Sequence, residues 1–223
     1  MSGRFRLRPA NVALALALAL ALASGVALAG SMTVSSQKLT TYSTTTSIVA
    51  TSCSLGAPVA DSYVDQLAPI TNYGSATELD VQSAVLSNRR TFLRFDLSSC
   101  SIPANALIKT ASLTLYLFTA PSASRTYDVR RATASWTEGG VTWTAQPAVS
   151  SVTASASTGT TSGVTLTWNV AADVQAYVDG TANNGWRLSD ATESALTTRL
   201  GRLRSLEYGT ASQRPTLDLT YYP

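Results

Sequence analysis

The stretch ASLTLYLF, residues 111–118, decides the fold class, because apolar and more polar side chains alternate along it. Successive side chains of a β-strand point to opposite sides of the sheet. One set is predicted to face a core: Ala111, Leu113, Leu115 and Leu117. The other set is predicted to face outward: Ser112, Thr114, Tyr116 and Phe118. The stretch therefore predicts a half-buried strand.

Segments with the same two-residue period lie on both sides of this stretch, at residues 79–81, 91–97, 127–131, 164–169, 186–188 and 217–221. Turn-forming pairs such as Gly139-Gly140 and Asn184-Gly185 lie between them. Many short strands separated by turns are typical of sandwiches and jelly rolls. The chain is therefore predicted to be all-β, a jelly-roll-like antiparallel β-sandwich.

One segment departs from the two-residue period. Val170, Val174 and Val178 recur at helical spacing, and Gly180 follows them. The pattern predicts one short helix of about two turns that ends before the glycine. Its apolar side is predicted to cap an open end of the sandwich.

Residues 1–29 have the order of a secretory signal peptide. Arg4, Arg6 and Arg8 precede an apolar run at 12–23, and small residues lead to a predicted cleavage after Ala29. An uncleaved anchor is the alternative, because residues 12–29 would span about 27 Å as a helix at roughly 1.5 Å per residue. In both cases the remainder is predicted to be extracellular, either secreted or held at the cell surface.

The composition changes after this segment. Residues 30–55 are rich in Ser and Thr and are predicted to form an extended spacer whose last residues are fixed at Cys53. The same β-branched content would also suit an edge strand. Residues 56–223 are predicted to form a single folded domain.

The charge of the exported part is balanced. The chain has 16 basic and 13 acidic residues, but three of the basic ones are the arginines of the export signal. Without them 13 basic residues face 13 acidic ones. No basic footprint for nucleic acid or for an acidic membrane surface remains, so neither is a predicted partner.

The two cysteines, Cys53 and Cys100, both lie between serines. An even number of cysteines in an exported chain favours a disulfide, and a pair of free thiols is the alternative. The chain contains no histidine, so two cysteines alone do not make a zinc site.

Several motifs, taken in order, resemble the disaggregatase-related domain known as the DNRLRE domain, which is grouped among carbohydrate-binding modules. They lie at residues 60–64 with 72–74, 90–97 with 102–103, 111–116, 136–143 with 147, 174–177 with 184–185, 205–207 and 214–217. The resemblance implies a jelly-roll sandwich, an extracellular setting and attachment to polysaccharide. The family often has arginine where this chain has Leu206, so a ligand role for that arginine does not carry over.

Catalytic groups are scarce in this sequence. The absence of histidine excludes Ser-His-Asp, Cys-His and histidine-ligated metal chemistry. A carboxylate pair stays open, but Asp61 and Asp65 lie near predicted turns, where Asp commonly bonds its own backbone. Further acids are predicted to lie on solvated strand faces: Asp96, Asp128 and Asp218. The chain is therefore predicted not to be an enzyme.

Metals and cofactors leave no clear signal. No stretch has calcium-loop spacing, so no metal ligands are assigned and no cofactor is predicted. A structural calcium ion held by carboxylates and backbone carbonyls stays open as an alternative.

Binding of sugars needs flat apolar surfaces together with polar or charged groups. The candidate aromatic platforms are Tyr73, Tyr116, Phe118, Trp136, Trp143 and Trp186. The arginines that could bind uronate or sulfate groups are Arg89, Arg90, Arg94, Arg130 and Arg131. The predicted partner is a polysaccharide, neutral or anionic. For each residue the alternative is a structural role.

The segment from Trp136 to Trp143 is predicted to matter more to folding than to ligand binding. Its two rings lie on either side of a Gly-Gly turn and could pin the loop onto the sandwich. The carboxylate of Glu138 is expected to accept hydrogen bonds from the backbone of the turn or from a nearby arginine.

A structural subunit of a surface layer or filament is the alternative function. The Ser/Thr-rich arm would then pair with the sheet edge of a neighbouring copy, so self-association stays open.

Overall fold

The computed structural model describes residues 49–223. The predicted export signal and most of the predicted spacer lie outside the described residues, and both stay predictions. Within residues 49–223, no helix is long and apolar enough to cross a membrane.

Eleven antiparallel strands make up one sheet in the described part of the chain. They are β1 (Thr51–Leu55), β2 (Ala60–Asp65), β3 (Glu78–Ser83), β4 (Arg89–Arg94), β5 (Leu107–Thr119), β6 (Thr126–Ala132), β7 (Val149–Ser157), β8 (Val164–Asn169), β9 (Trp186–Asp190), β10 (Arg199–Arg204) and β11 (Thr216–Tyr222). One α-helix, α1 (Ala171–Val178), and two short 3-10 helices (Leu97–Cys100 and Ala211–Gln213) complete the elements. The predicted all-β class with one short helix is confirmed.

The strands follow the order β1-β11-β5-β10-β3-β4-β9-β6-β7, with β2 beside β4 and β8 beside β5. The sheet curls into a half-barrel consistent with a β-sandwich. Strand β5 has 13 residues and is the longest of the set, and it pairs with β8, β10 and β11. Strand β4 links the other half of the sheet, because it pairs with β2, β3 and β9.

The main core lies on the inner side of this curl. The four alternating apolar residues of β5 that were predicted to be buried are buried: Ala111, Leu113, Leu115 and Leu117. Helix α1 packs against β5 through Val174 and Tyr177, both of which belong to the same core. Burial of each large apolar side chain contributes roughly 1.5–3 kcal/mol relative to exposure, so the core is the main source of stability.

Strand β4 is shorter than predicted. It ends at Arg94 rather than at Leu97, because Asp96 caps the following 3-10 helix. The Asp96 carboxylate accepts a hydrogen bond from the Ser98 amide at 2.9 Å. Short polar side chains compete with the sheet for backbone groups in this way. The expectation that Asp96 lies on a strand face is therefore wrong.

The predicted disulfide is confirmed. Cys53 of β1 is joined to Cys100 at the end of the first 3-10 helix, with the two Cα atoms 5.7 Å apart. Strand β1 itself pairs with β11 over its whole length. The sheet therefore begins within the segment 30–55.

Candidate functional site

A second, smaller cluster of buried residues lies on the side of β4 that faces away from the main core. Its members are Ala60, Val64, Phe92, Ala132, Trp136 and Val141, with Trp143 packed against it. Trp136 is 6% exposed, and its indole N–H donates to the backbone oxygen of Asn184 at 2.8 Å. Trp143 is only half-buried. Both rings therefore pack onto the sandwich, as the pinning role requires, but Trp143 is covered less than Trp136.

Glu138 reaches across to β2 from this segment. Its Oε1 atom accepts a hydrogen bond from the Asp61 amide at 2.9 Å. The backbone oxygen of Glu138 accepts one from the Asn72 side chain at 2.6 Å. The expected partners, the backbone of its own turn or an arginine, are therefore wrong, and Glu138 joins its segment to a distant strand.

Three arginines from neighbouring strands share the outer side of the β4-β9-β6 part of the sheet. We call them the arginine surface: Arg90, Arg130 and Arg187. Arg187 of β9 pairs in register with Arg130 of β6 and, on its other edge, with Phe92 of β4. Arg90 is two residues from Phe92 and so points to the same side. Like charges directly opposite each other on one side of a sheet are destabilising.

The three arginines differ in their partners. Arg90 binds both carboxylate oxygens of Glu193 at 2.6 Å and lies 4.4 Å from the centre of the Trp143 ring. Arg130 lies 3.4 Å from Asp128. The Arg187 side chain makes no hydrogen bond or ion pair among residues 49–223, and its Nε atom is buried without a partner.

The surroundings of Arg187 therefore disfavour the charged form of its side chain. Burial, followed by the charge of Arg90, lowers the pKa of Arg187 to about 10. The charge of Arg130 acts in the same direction, while Glu193 and Asp128 oppose it. A guanidinium at neutral pH remains charged, so the site carries an electrostatic cost that a bound anion would relieve.

A second exposed surface lies on the outer side of β5 and β10. We call it the aromatic surface: Tyr116, Phe118, Arg204 and Tyr208. The guanidinium carbon of Arg204 is 3.7 Å from the ring centres of both Phe118 and Tyr208. The stack holds the arginine through cation–π contacts. Tyr116 lies two residues before Phe118 on the same side of β5.

Acids balance the arginines next to this aromatic surface. Arg202 lies 3.9 Å from Glu78 and 3.7 Å from Asp80. Arg89 lies 2.9 Å from Asp65 and 2.5 Å from Asp80. Arg89 and Arg202 are therefore engaged with carboxylates, whereas Arg204 has no ion pair among the described residues and is held by the two rings.

The other predicted ligand residues are dispersed. Tyr73 stacks on Tyr63 with ring centres 4.1 Å apart. Arg94 lines a surface cavity of about 410 Å³ together with Val59 and Asn183. Neither residue belongs to the arginine surface or to the aromatic surface.

The prediction that Trp186 is an exposed platform is wrong. Trp186 is 0% exposed, and its indole N–H donates to Asp173 at 2.8 Å. Its ring packs edge-on against Tyr177. Because Trp186 and Leu188 face the core, the residue between them, Arg187, faces outward. The sequence reasoning missed Arg187 by assigning the wrong side of β9 to the surface.

Two of the acids considered from the sequence, Asp128 and Asp61, differ from expectation, and Asp65 agrees with it. Asp128, predicted to be solvated, is buried and accepts a hydrogen bond from the Ser155 hydroxyl at 2.6 Å. Asp61 lies inside β2 and is 1% exposed, rather than in a turn. Asp65 does bond its own turn, since it accepts from the Leu67 amide at 2.9 Å. Asp61 is too enclosed to reach a sugar ring.

Residues 53–221 match the family model described as carbohydrate-binding module family 96. The chain belongs to this family. No curated protein matches the sequence. The family-96 match begins in β1 and ends in β11, so it includes every strand of the sheet. Carbohydrate-binding modules are typically non-catalytic.

Proposed function

We propose that this protein is a secreted, non-catalytic module that binds an acidic polysaccharide through the arginine surface. The observation that carries the proposal is Arg187, a half-buried arginine that lies opposite Arg130 and whose Nε atom is buried without a hydrogen-bond partner among the described residues. The family-96 match supports a carbohydrate ligand. It is also compatible with the DNRLRE resemblance.

The chemistry of the surface favours a carboxylated or sulfated sugar. A guanidinium binds a carboxylate through two parallel hydrogen bonds, and such charge-assisted bonds are about twice as strong as neutral ones. A polymer that carries one acid group per sugar would place anions along the row of arginines. The half-buried Trp143 ring beside Arg90 adds an apolar contact for the sugar.

The non-catalytic part of the proposal rests on the carboxylates. Hydrolysis of a glycosidic bond needs two carboxyl groups that flank the substrate. Of the two acids considered from the sequence, Asp61 is enclosed and Asp65 is bound to Arg89 and to its own turn. The extracellular setting rests on the export signal predicted at residues 1–29.

The substitution Arg187→Gln is expected to weaken binding of a uronic-acid polymer roughly ten- to hundredfold, because a charged hydrogen bond contributes about 1.5–3 kcal/mol. The free energy of unfolding is expected to stay equal or to rise, since the variant removes a repulsive charge from the sheet. Affinity electrophoresis and urea unfolding of the same samples measure the two effects.

Arg199→Gln is the control, because it removes an arginine of β10, which the strand order separates from β9 by β3 and β4. It is expected to bind the polymer as the parent does. Equal binding by Arg187→Gln and the parent would contradict the proposal. Loss of binding by Phe118→Ala instead would place the ligand on the aromatic surface.

The structural-subunit alternative has one observation in its favour. Strands β1 and β7 lie at the two ends of the strand order, so each offers a free edge within the described residues. An exposed edge is a template for pairing with another chain. A protein that elutes as a polymer in size-exclusion chromatography, without polysaccharide, would favour this alternative over the binding module.

A further inference from the structure

Three carboxylates meet at a point that the proposed function does not use. One side-chain oxygen from each of Asp61, Glu138 and Glu207 lies within 4.8 Å of the others. Asp61 lies in β2, Glu138 in the segment between β6 and β7, and Glu207 just after β10. Two ligands of one calcium ion, each about 2.4 Å from it, can be at most about 4.8 Å apart. The three oxygens therefore fit the coordination sphere of a single cation.

The oxygens of this carboxylate cluster are only partly used by the protein. The Oδ2 atom of Asp61 accepts a hydrogen bond from the Leu206 amide at 2.8 Å. The Oδ1 atom of Asp61 is buried and has no hydrogen-bond partner among the residues that the structure describes. The Oε2 atom of Glu207 is likewise buried without a partner. A buried carboxylate oxygen that lacks a donor costs free energy unless a cation or a proton supplies the missing interaction.

In the part of the chain that the structure describes, no lysine or arginine pairs with this cluster. Among residues 49–223, none of the ion pairs includes Asp61, Glu138 or Glu207. Burial is the main cause that raises the pKa of Asp61 to about 8; the hydrogen bond from Leu206 acts against it, and the charges of Glu207 and Glu138 act with it.

We infer that Asp61, Glu138 and Glu207 bind one calcium ion. All three donors are oxygens, and the chain has no histidine and no free cysteine in its described part, so the site does not suit zinc. Calcium accepts six to eight oxygens in flexible geometry, whereas magnesium demands a near-ideal octahedron and sheds its water reluctantly. Waters or backbone carbonyls would complete the shell.

The surrounding structure fixes the position of Glu138 closely. A Cβ atom at Gly74 would lie 2.7 Å from both the Cγ atom and the backbone oxygen of Glu138, so only glycine allows this approach. Asn72, two residues earlier, donates to the Glu138 backbone oxygen. A calcium ion would thus tie β2, the Trp136 segment and the segment after β10 to one another.

The test uses the purified protein stripped of metal with EDTA. Addition of calcium alone is expected to raise the melting temperature by roughly 5–10 °C at about a hundred times Kd, because the ion binds only the folded chain. Magnesium at the same concentration is expected to have a much smaller effect. Equilibrium dialysis with atomic emission is expected to find one calcium ion per chain.

Asp61→Asn and Glu207→Gln keep the size of each side chain and remove one charge. Both variants are expected to lose the response to calcium, yet to melt in EDTA at the temperature of the parent or above it, because they remove repulsion. Asp218→Asn, which alters an exposed acid of β11, is the control and is expected to respond as the parent does.

Two results would overturn the inference. One is a parent protein whose melting temperature does not change up to about 10 mM calcium, beyond the range of extracellular calcium modules. The other is a full calcium response in both cluster variants, which would place the ion elsewhere. Neither readout involves polysaccharide, so both are independent of the proposed function.

Discussion

Removal of the disulfide between Cys53 and Cys100 is expected to lower the free energy of unfolding by about 4 kcal/mol. The bond closes a loop with a sequence separation of 47, and loop-closure entropy gives this magnitude. The bond also holds β1, which among the described strands pairs with β11 alone, to the 3-10 helix after β4. Urea unfolding of the parent and of the double variant Cys53→Ala, Cys100→Ala measures the difference.

Reduction of the parent protein serves as the control, because it opens the bond without changing a side chain. Reduced parent and double variant are expected to unfold at similar urea concentrations. A difference below about 1 kcal/mol between oxidised and reduced parent would mean that the disulfide restricts the unfolded chain far less than the entropy argument requires.

Trp136→Ala is expected to lower the free energy of unfolding by about 3–5 kcal/mol, as truncations of large buried rings do. The ring packs 5.8 Å from Phe92 and fills the smaller core on the outer side of β4. Its hydrogen bond to the Asn184 backbone is lost as well. Thermal and urea unfolding of the variant measure the change.

Tyr116→Ala is the control for this substitution, since its half-buried ring lies on the outer side of β5. A much smaller loss is expected there. Trp143→Ala should fall between the two because its ring is only half-buried. If Trp136→Ala unfolds like the parent but no longer binds polysaccharide, the segment is the ligand site rather than a cover for the sheet.

The strands with large alternating side chains could be predicted from the sequence. Residues 111–118 lie wholly within β5, and the segment 164–169 coincides with β8. Strand β10 was missed because Gly201 occupies a core position between its arginines. A Cβ atom at position 201 would lie 2.2 Å from the Tyr127 hydroxyl, so only glycine fits there. The two-residue alternation is recognised by large apolar side chains at the core positions, and glycine interrupts it.

Strand β7 was missed for a related reason. Its sequence, VSSVTASAS, is built mainly from small residues, and its positions are exposed or half-buried. A strand at the end of the sheet needs few large apolar side chains, so the two-residue period is weak there.

The candidate sites depend on residues that are close only after folding. Arg130 was recognised as a candidate, but its partner Arg187 was not, because the side of β9 that faces the core was assigned incorrectly. Arg204 and Tyr208 were missed together with β10. The carboxylate cluster joins three segments that are far apart in the chain, and no local spacing could reveal it.

The role of acid groups in the ligand is tested most directly by changing the ligand alone. Calorimetric titration would compare a uronic-acid polymer with the same polymer after its carboxylates have been reduced to alcohols. We expect binding of the acid form that weakens as salt is added, and binding of the reduced form that is at least about tenfold weaker. Equal affinity for the two polymers, unaffected by salt, would contradict recognition by the arginine surface.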